Sequence, residues 1–121
     1  MNYSHIETGK IGEENSITYL NKMGYDILKR NYKTPFGELD VIAKESGAIV
    51  FIEIKTRRSR AYGMPEESVH LRKQRKLIQS AQCYLKQNRS LSKASRFDVL
   101  SVLIRPSGQF EFNLIQNAFE V

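Results

Sequence analysis

Gly37 to Arg58 reads GELDVIAKESGAIVFIEIKTRR. Two apolar, β-branched runs flank Ser46-Gly47, a strand–turn–strand pattern with strands at Glu38–Lys44 and Ala48–Lys55. Side chains alternate along a strand, so Glu38, Asp40 and Ile42 share one face of the first strand. Ile49, Phe51, Glu53 and Lys55 share one face of the second. A two-residue turn pairs Glu45 with Ala48, which sets Asp40 opposite Glu53 and Glu38 opposite Lys55; a slip of one residue in the turn would change that pairing. Leu39, Val41 and Ala43, with Val50, Ile52 and Ile54, make the other face apolar too. A sheet covered on both sides has no cheap place for a carboxylate, and opposed like charges destabilise a ladder. A divalent cation between Asp40 and Glu53 resolves the conflict, with Lys55 supplying part of the positive charge. Hard carboxylate oxygens suit Mg²⁺ or Mn²⁺. Glu38 and Lys55 alone also read as an ordinary exposed cross-strand pair.

The rest of the chain arranges itself around this hairpin. Upstream, Ile6 to Met23 has helical spacing, with Ile6, Gly9, Ile17 and Leu20 along one side and Gly24 as a stop. Glu13 falls on that stripe, four residues after Gly9 and four before Ile17. It reads either as a third carboxylate aimed at the sheet, with Gly9 and Gly12 allowing close approach, or as a charge snorkelling from the helix end. Glu14, about 100° further round, is expected in solvent. Residues 25–32 form a short strand. Downstream, Thr56 to Met64 is a basic loop, and Pro65 to Asn88 contains a second helix with a buried stripe of Leu77, Ile78, Ala81, Tyr84 and Leu85. Residues 96–105 and 109–115 are two more strands around a Pro-Ser-Gly turn. The expected fold class is α/β in the order α-β-β-β-α-β-β. The first three strands form a meander, the second helix returns strand 96–105 parallel to strand 48–55, and helices flank a central mixed sheet.

Composition narrows the function. The 121 residues suffice for one domain, 1–121, and twelve Phe plus Tyr support a packed core. A net charge of +6 favours a polyanionic partner, nucleic acid first. Of nineteen Lys and Arg, eight lie between Lys55 and Lys76. Arg57, Arg58 and Arg60 continue from the acid-bearing strand. Arg72 and Lys76 are one helical turn apart, and Lys73 lies nearest the Val69–Leu77 stripe, on the side of the site. Arg75 reads as solvated surface, and Tyr62 as a loop aromatic that either stacks on a base or packs. Cys83 is the only cysteine, which excludes an intrachain disulfide and suits a reducing compartment. The N-terminus has no apolar signal segment, and the longest apolar run, Ala48 to Ile52, is too short to span a bilayer. The expected chain is soluble and cytoplasmic, with no membrane partner. His5 and His70 lack zinc-type spacing, and no Walker A loop, nucleophile elbow or dinucleotide fingerprint is present.

Asp40, then Glu53-Ile54-Lys55, resembles the signature of the PD-(D/E)XK nuclease superfamily, with Leu39 where that motif has proline. Glu13 on the preceding helix resembles the Holliday-junction-resolvase branch. From GKIGEE through GYDILKRNY, GELDVIA, VFIEIKTRR, GMPEESV, KQRKLIQSAQCYL and RFDVLSV, nearly the whole chain is similar to the YraN family of small uncharacterised bacterial proteins. The resemblance implies a restriction-endonuclease-like core and phosphodiester hydrolysis in DNA, branched or repair intermediates included, with DNA preferred over RNA. It implies Mg²⁺ (or Mn²⁺) held by Asp40, Glu53 and the backbone carbonyl of Ile54, with Glu13 as a further ligand and Glu38 as an auxiliary ligand or a partner of Lys55. Lys55 would position the attacking water or stabilise charge on the phosphate. Arg57, Arg58, Arg60, Arg72, Lys73 and Lys76 would contact nucleic acid. A homodimer around the substrate fits this reading. The alternative is a non-catalytic nucleic-acid-binding module on the same fold; a protein-interaction domain with the acids in ion pairs ranks below both.

Overall fold

The computed structural model describes residues 5–58, 71–119 and 121. Its elements run α1 (His5–Lys22), β1 (Asp26–Thr34), β2 (Gly37–Glu45), β3 (Ala48–Arg57), α2 (Leu71–Gln87), β4 (Ser95–Ile104) and β5 (Phe110–Phe119). The strands form one mixed sheet in the order β1-β2-β3-β4-β5. Only the β3–β4 pairing is parallel. This is the expected α/β order, with the α2 segment between the parallel pair. The side chain of Ile6, the packing of Gly9, and residues 59–70 with Arg60 and Tyr62 lie outside the described residues.

The central hairpin has the register anticipated from its turn. Ser46 and Gly47 both have positive φ, 50° and 81°, the handedness that suits the twist of two-residue hairpins. Glu45 pairs with Ala48, and the ladder continues to Val41 and Ile52. The sheet is buried on both faces. On the α2 side Ile42, Phe51, Leu77, Tyr84, Leu85, Phe97 and Val99 pack together. Aromatic rings cross that face, from Tyr32 to Tyr84, Phe51, Phe97 and Phe119, with successive centroids 4.5 to 6.0 Å apart. On the other side Leu20 and Tyr25 meet Val41, Ala43, Val50, Ile52, Leu100 and Val102.

Three local readings are corrected. Among the described residues the inward stripe of α1 is Gly12, Ser16 and Leu20; Leu20 is buried and Ile17 packs beside it as expected, but Gly12 and not Glu13 takes the inward place in the turn above. A Cβ on Gly12 would lie 2.2 Å from Thr56 Oγ1, so the helix backbone rests directly on β3. Ser16 is tolerated inside because its hydroxyl donates to the Gly12 carbonyl. Leu39 packs in the α2-side core rather than with Val41 and Ala43. Beyond Val41 the β2 backbone parts from β3 while it stays paired with β1 as far as Gly37–Thr34. That free end of the hairpin curls toward α2, where Thr34 Oγ1 and Ser80 Oγ lie 2.8 Å apart. Finally, β5 runs to Phe119, past the expected end at Ile115. Its extension carries an irregularity at Asn117, φ 51°, whose N–H donates to Asp98.

Candidate functional site

Asp40 and Glu53 stand one step past the last paired residues of the β2–β3 ladder, Val41 and Ile52. There the Asp40 carboxylate takes a backbone partner of its own: the Ile54 N–H donates to Asp40 Oδ2 at 2.9 Å. Glu53 is 6% exposed, and β4 covers its other side through Val99. Two ammonium groups converge on one of its oxygens. Lys73 Nζ lies 2.7 Å and Lys55 Nζ 3.5 Å from Glu53 Oε1. Lys55 comes from the same strand and the same face, and Lys73 from the first described turn of α2. Two carboxyl groups and two ammonium groups, of zero net charge when all are ionised, thus meet between β2, β3 and α2.

The electrostatics show that the charges are not fully offset. Burial, then the neighbouring Glu53 carboxylate, push the Asp40 carboxyl up to about 7, against the pull of the Ile54 N–H and the two lysines. Burial and the adjacent Lys73 hold Lys55 below the ordinary lysine range. Burial is the largest single influence on Lys73 and acts in the same direction, but its hydrogen bonds to Glu53 and Lys55 and the charges of Glu53 and Asp40 together outweigh it and raise Lys73 above the ordinary lysine value. A half-buried acid beside a buried one, with its carboxyl raised toward neutrality, is the pattern found at functional sites.

Not every candidate joins this cluster. Glu13 accepts from Arg30 at 3.1 Å and from Asn31 at 2.8 Å, both on β1, while Glu14 pairs with Arg30 at 2.6 Å. Glu13, one residue off the buried stripe of α1, faces β1. Glu38 is exposed and sits opposite Lys33 of β1, not opposite Lys55, because β2 has already left β3. Among the described residues, no three His, Cys, Asp or Glu side chains gather as a metal-binding group. The acid set is therefore a pair. Of the basic residues, Arg57 continues the face of Glu53 and Lys55, is half-buried, and has its Nε buried with no hydrogen-bond partner among the described residues. Arg58 follows it, also half-buried. Arg72 and Lys76 are exposed on α2. Arg60 lies outside the described residues.

A second buried acid went unnoticed in the sequence. Asp98 of β4 is 0% exposed, on the α1 side of the sheet. Tyr25 Oη donates to Asp98 Oδ2 at 2.7 Å, and Arg96 Nε and the Asn117 N–H donate to Oδ1 at 3.0 and 2.9 Å. Arg96 also reaches Glu45 at 2.7 Å, and Gln116 donates to Tyr25 Oη. Both carboxylate oxygens are saturated, so Asp98 ties Tyr25, just ahead of β1, to β4 and β5 and has no lone pair directed at a ligand. The signal was available: an acid inside the apolar run Phe97–Val102, with Arg96 two residues before it on the same face.

Comparison with known proteins supplies the relationship. Residues 12–102 match the model of uncharacterised protein family UPF0102. The chain is 40% identical over 114 residues to a UPF0102 protein of Dictyoglomus turgidum and 43% identical to one of Caldicellulosiruptor saccharolyticus. Each alignment covers 93% of this chain and 97% of the relative. A UPF0102 protein of Syntrophus aciditrophicus is 42% identical over 117 residues, 97% of this chain and 91% of that one. Among solved structures, the chain is similar to Pyrococcus furiosus SfsA in complex with Ca²⁺, with a TM-score of 0.39 and 21% identity. That match covers 93% of this chain and 62% of the other. With a family model matching most of its length and relatives aligned nearly end to end, the chain belongs to family UPF0102, the YraN family.

Proposed function

We propose that the protein is a divalent-metal-dependent nuclease that hydrolyses phosphodiester bonds in DNA, with Asp40, Glu53 and Lys55 as its working residues. The observation that carries this reading is the pairing of half-buried Asp40 with buried Glu53, the Asp40 carboxyl being pushed up to about 7 by desolvation and by Glu53. A divalent cation between the two carboxylates would remove that penalty. Two carboxylates fit Mg²⁺ or Mn²⁺, which usually keep several waters and take substrate phosphate oxygens for their remaining positions. Bound there, the cation would polarise the phosphate and make a coordinated water more acidic. The Ile54 carbonyl is a further donor in this proposal; Glu13 and Glu38 are not.

The chain's own residues have separate tasks. Asp40 and Glu53 hold the cation, with the Ile54 N–H fixing the Asp40 carboxylate. Lys55, depressed in pKa and half-buried, positions a water or stabilises the negative charge that grows on the phosphate. Arg57, on the same face of β3, bears a buried Nε, unpartnered among the described residues, near the expected phosphate path. Exposed Arg72 and Lys76 extend positive charge along α2. A non-catalytic binder would keep the basic residues but gain nothing from carboxylates, which repel phosphate.

The test is a cleavage panel of single-stranded, duplex, flap and four-way DNA, with RNA counterparts, in Mg²⁺ or Mn²⁺. Metal-dependent cleavage of at least one substrate, lost in Asp40→Asn, is expected. Purified protein that binds several of these nucleic acids yet cuts none would replace the nuclease with the binding module.

A further inference from the structure

We infer that Lys73 is a displaceable counter-ion: in the cation-free protein it occupies the side of Glu53 that a divalent cation takes, and it must leave when the cation binds. The inference rests on the reading of Asp40 and Glu53 as a cation site, and adds a residue from outside the strand motif that governs loading of that site.

Three observations support it. Lys73 makes the shorter contact to Glu53 Oε1, 2.7 Å against 3.5 Å for Lys55, and the two ammonium groups compete for the same oxygen. Their freedom to leave differs. The Lys55 side chain is 19% exposed on the central strand β3, whereas that of Lys73 is 43% exposed on the first described turn of α2. A lysine carries four rotatable carbons, so Lys73 has an open route to solvent and Lys55 has little. Charge then decides the outcome. The four groups sum to zero at most, with both carboxyls ionised, and a dication added to them would face two ammonium groups at close range. Release of the more exposed lysine relieves that repulsion, and places its charge beside exposed Arg72 and Lys76. A permanent structural salt bridge predicts the reverse, since losing Lys73 would then disorganise Glu53 and weaken any cation held there.

The experiment is Mn²⁺ binding to the full chain, by calorimetry, with no nucleic acid present. Lys73→Ala and Lys73→Gln should each bind Mn²⁺ roughly 1.5- to 5-fold more tightly than wild type, the scale of a lost competing ion pair that is partly exposed. Lys73→Arg, which keeps the charge, should bind like wild type. In chelator the Ala and Gln variants should melt below wild type, and their rise in Tm on adding Mn²⁺ should be larger. Equal or weaker Mn²⁺ binding in both neutral variants overturns the displacement while leaving the cation site intact. Wild type that takes up no Mn²⁺ at millimolar concentration, with Asp40→Asn indistinguishable from it, overturns the cation site and this inference with it.

Discussion

At the residue scale, Asp40 is defined by where its strand pairing ends. One residue earlier in the ladder it would be a defect; one step past the last pair, its carboxylate takes over a backbone N–H and faces Glu53. Its folded value of about 7 lies well above the ordinary 3.8. A carboxyl raised in this way favours the protonated folded protein. Its contribution to stability is therefore full below about pH 4 and is lost as the pH rises toward 7. In chelator, the Tm of wild type should fall over that range more steeply than the Tm of Asp40→Asn, and the variant should be the more stable of the two at pH 8. Parallel Tm profiles from pH 5 to pH 8 would mean that Asp40 is not held at a cost. This residue was legible because parity and turn length alone place it opposite Glu53. Glu13 was not, because two apolar residues and two glycines define a helical face too loosely. Asp98 was missed although the parity rule that exposed Asp40 applies to it, and its saturated hydrogen bonds show why an acid in an apolar strand need not be a ligand.

At the element scale, α1 is seated by small residues. Gly12 touches Thr56, and Ser16 is buried behind it, so the helix backbone lies close against the end of β3 that carries Glu53 and Lys55 on its opposite face. A hydrophobic reading of α1 misses this, because close approach depends on what side chains lack. Gly12→Ala would force Thr56 or the helix to move. Overpacking of this kind costs about 1–3 kcal/mol, which should appear as a lower urea midpoint with an unchanged m-value. A midpoint within error of wild type would show that α1 shifts freely. The β2–β3 turn was fully legible, because two positive-φ positions at Ser-Gly specify both hairpin and register. The hairpin's far end was not: Leu39 changes face only because β2 leaves β3 and bends toward Ser80 of α2, a tertiary contact that no local pattern encodes. The length of β5 was hidden likewise, since Gln116 and Asn117 look like a loop until Asp98 is known to anchor them.

At the scale of the whole molecule, a sheet buried on both faces carries one under-compensated acid pair, and two lysines from different elements partly offset it. No helix among the described residues is long and apolar enough to cross a membrane. The net charge of +6 is not spread evenly, since Lys55, Arg57, Lys73, Arg72 and Lys76 lie on or beside the elements that hold Asp40 and Glu53. On the proposed nuclease reading, this arrangement would separate chemistry from binding. The most direct measurement is single-turnover cleavage of the best DNA substrate by wild type and Lys55→Ala in Mg²⁺, with affinity for the same DNA measured in parallel. Lys55→Ala keeps both carboxylates, so cleavage should fall by roughly 10²–10⁴-fold, the usual worth of a positioned acid–base or electrostatic group, while affinity changes only a few-fold. Cleavage that survives Lys55→Ala undiminished, or a loss of affinity that accounts for the whole loss of rate, would contradict the account.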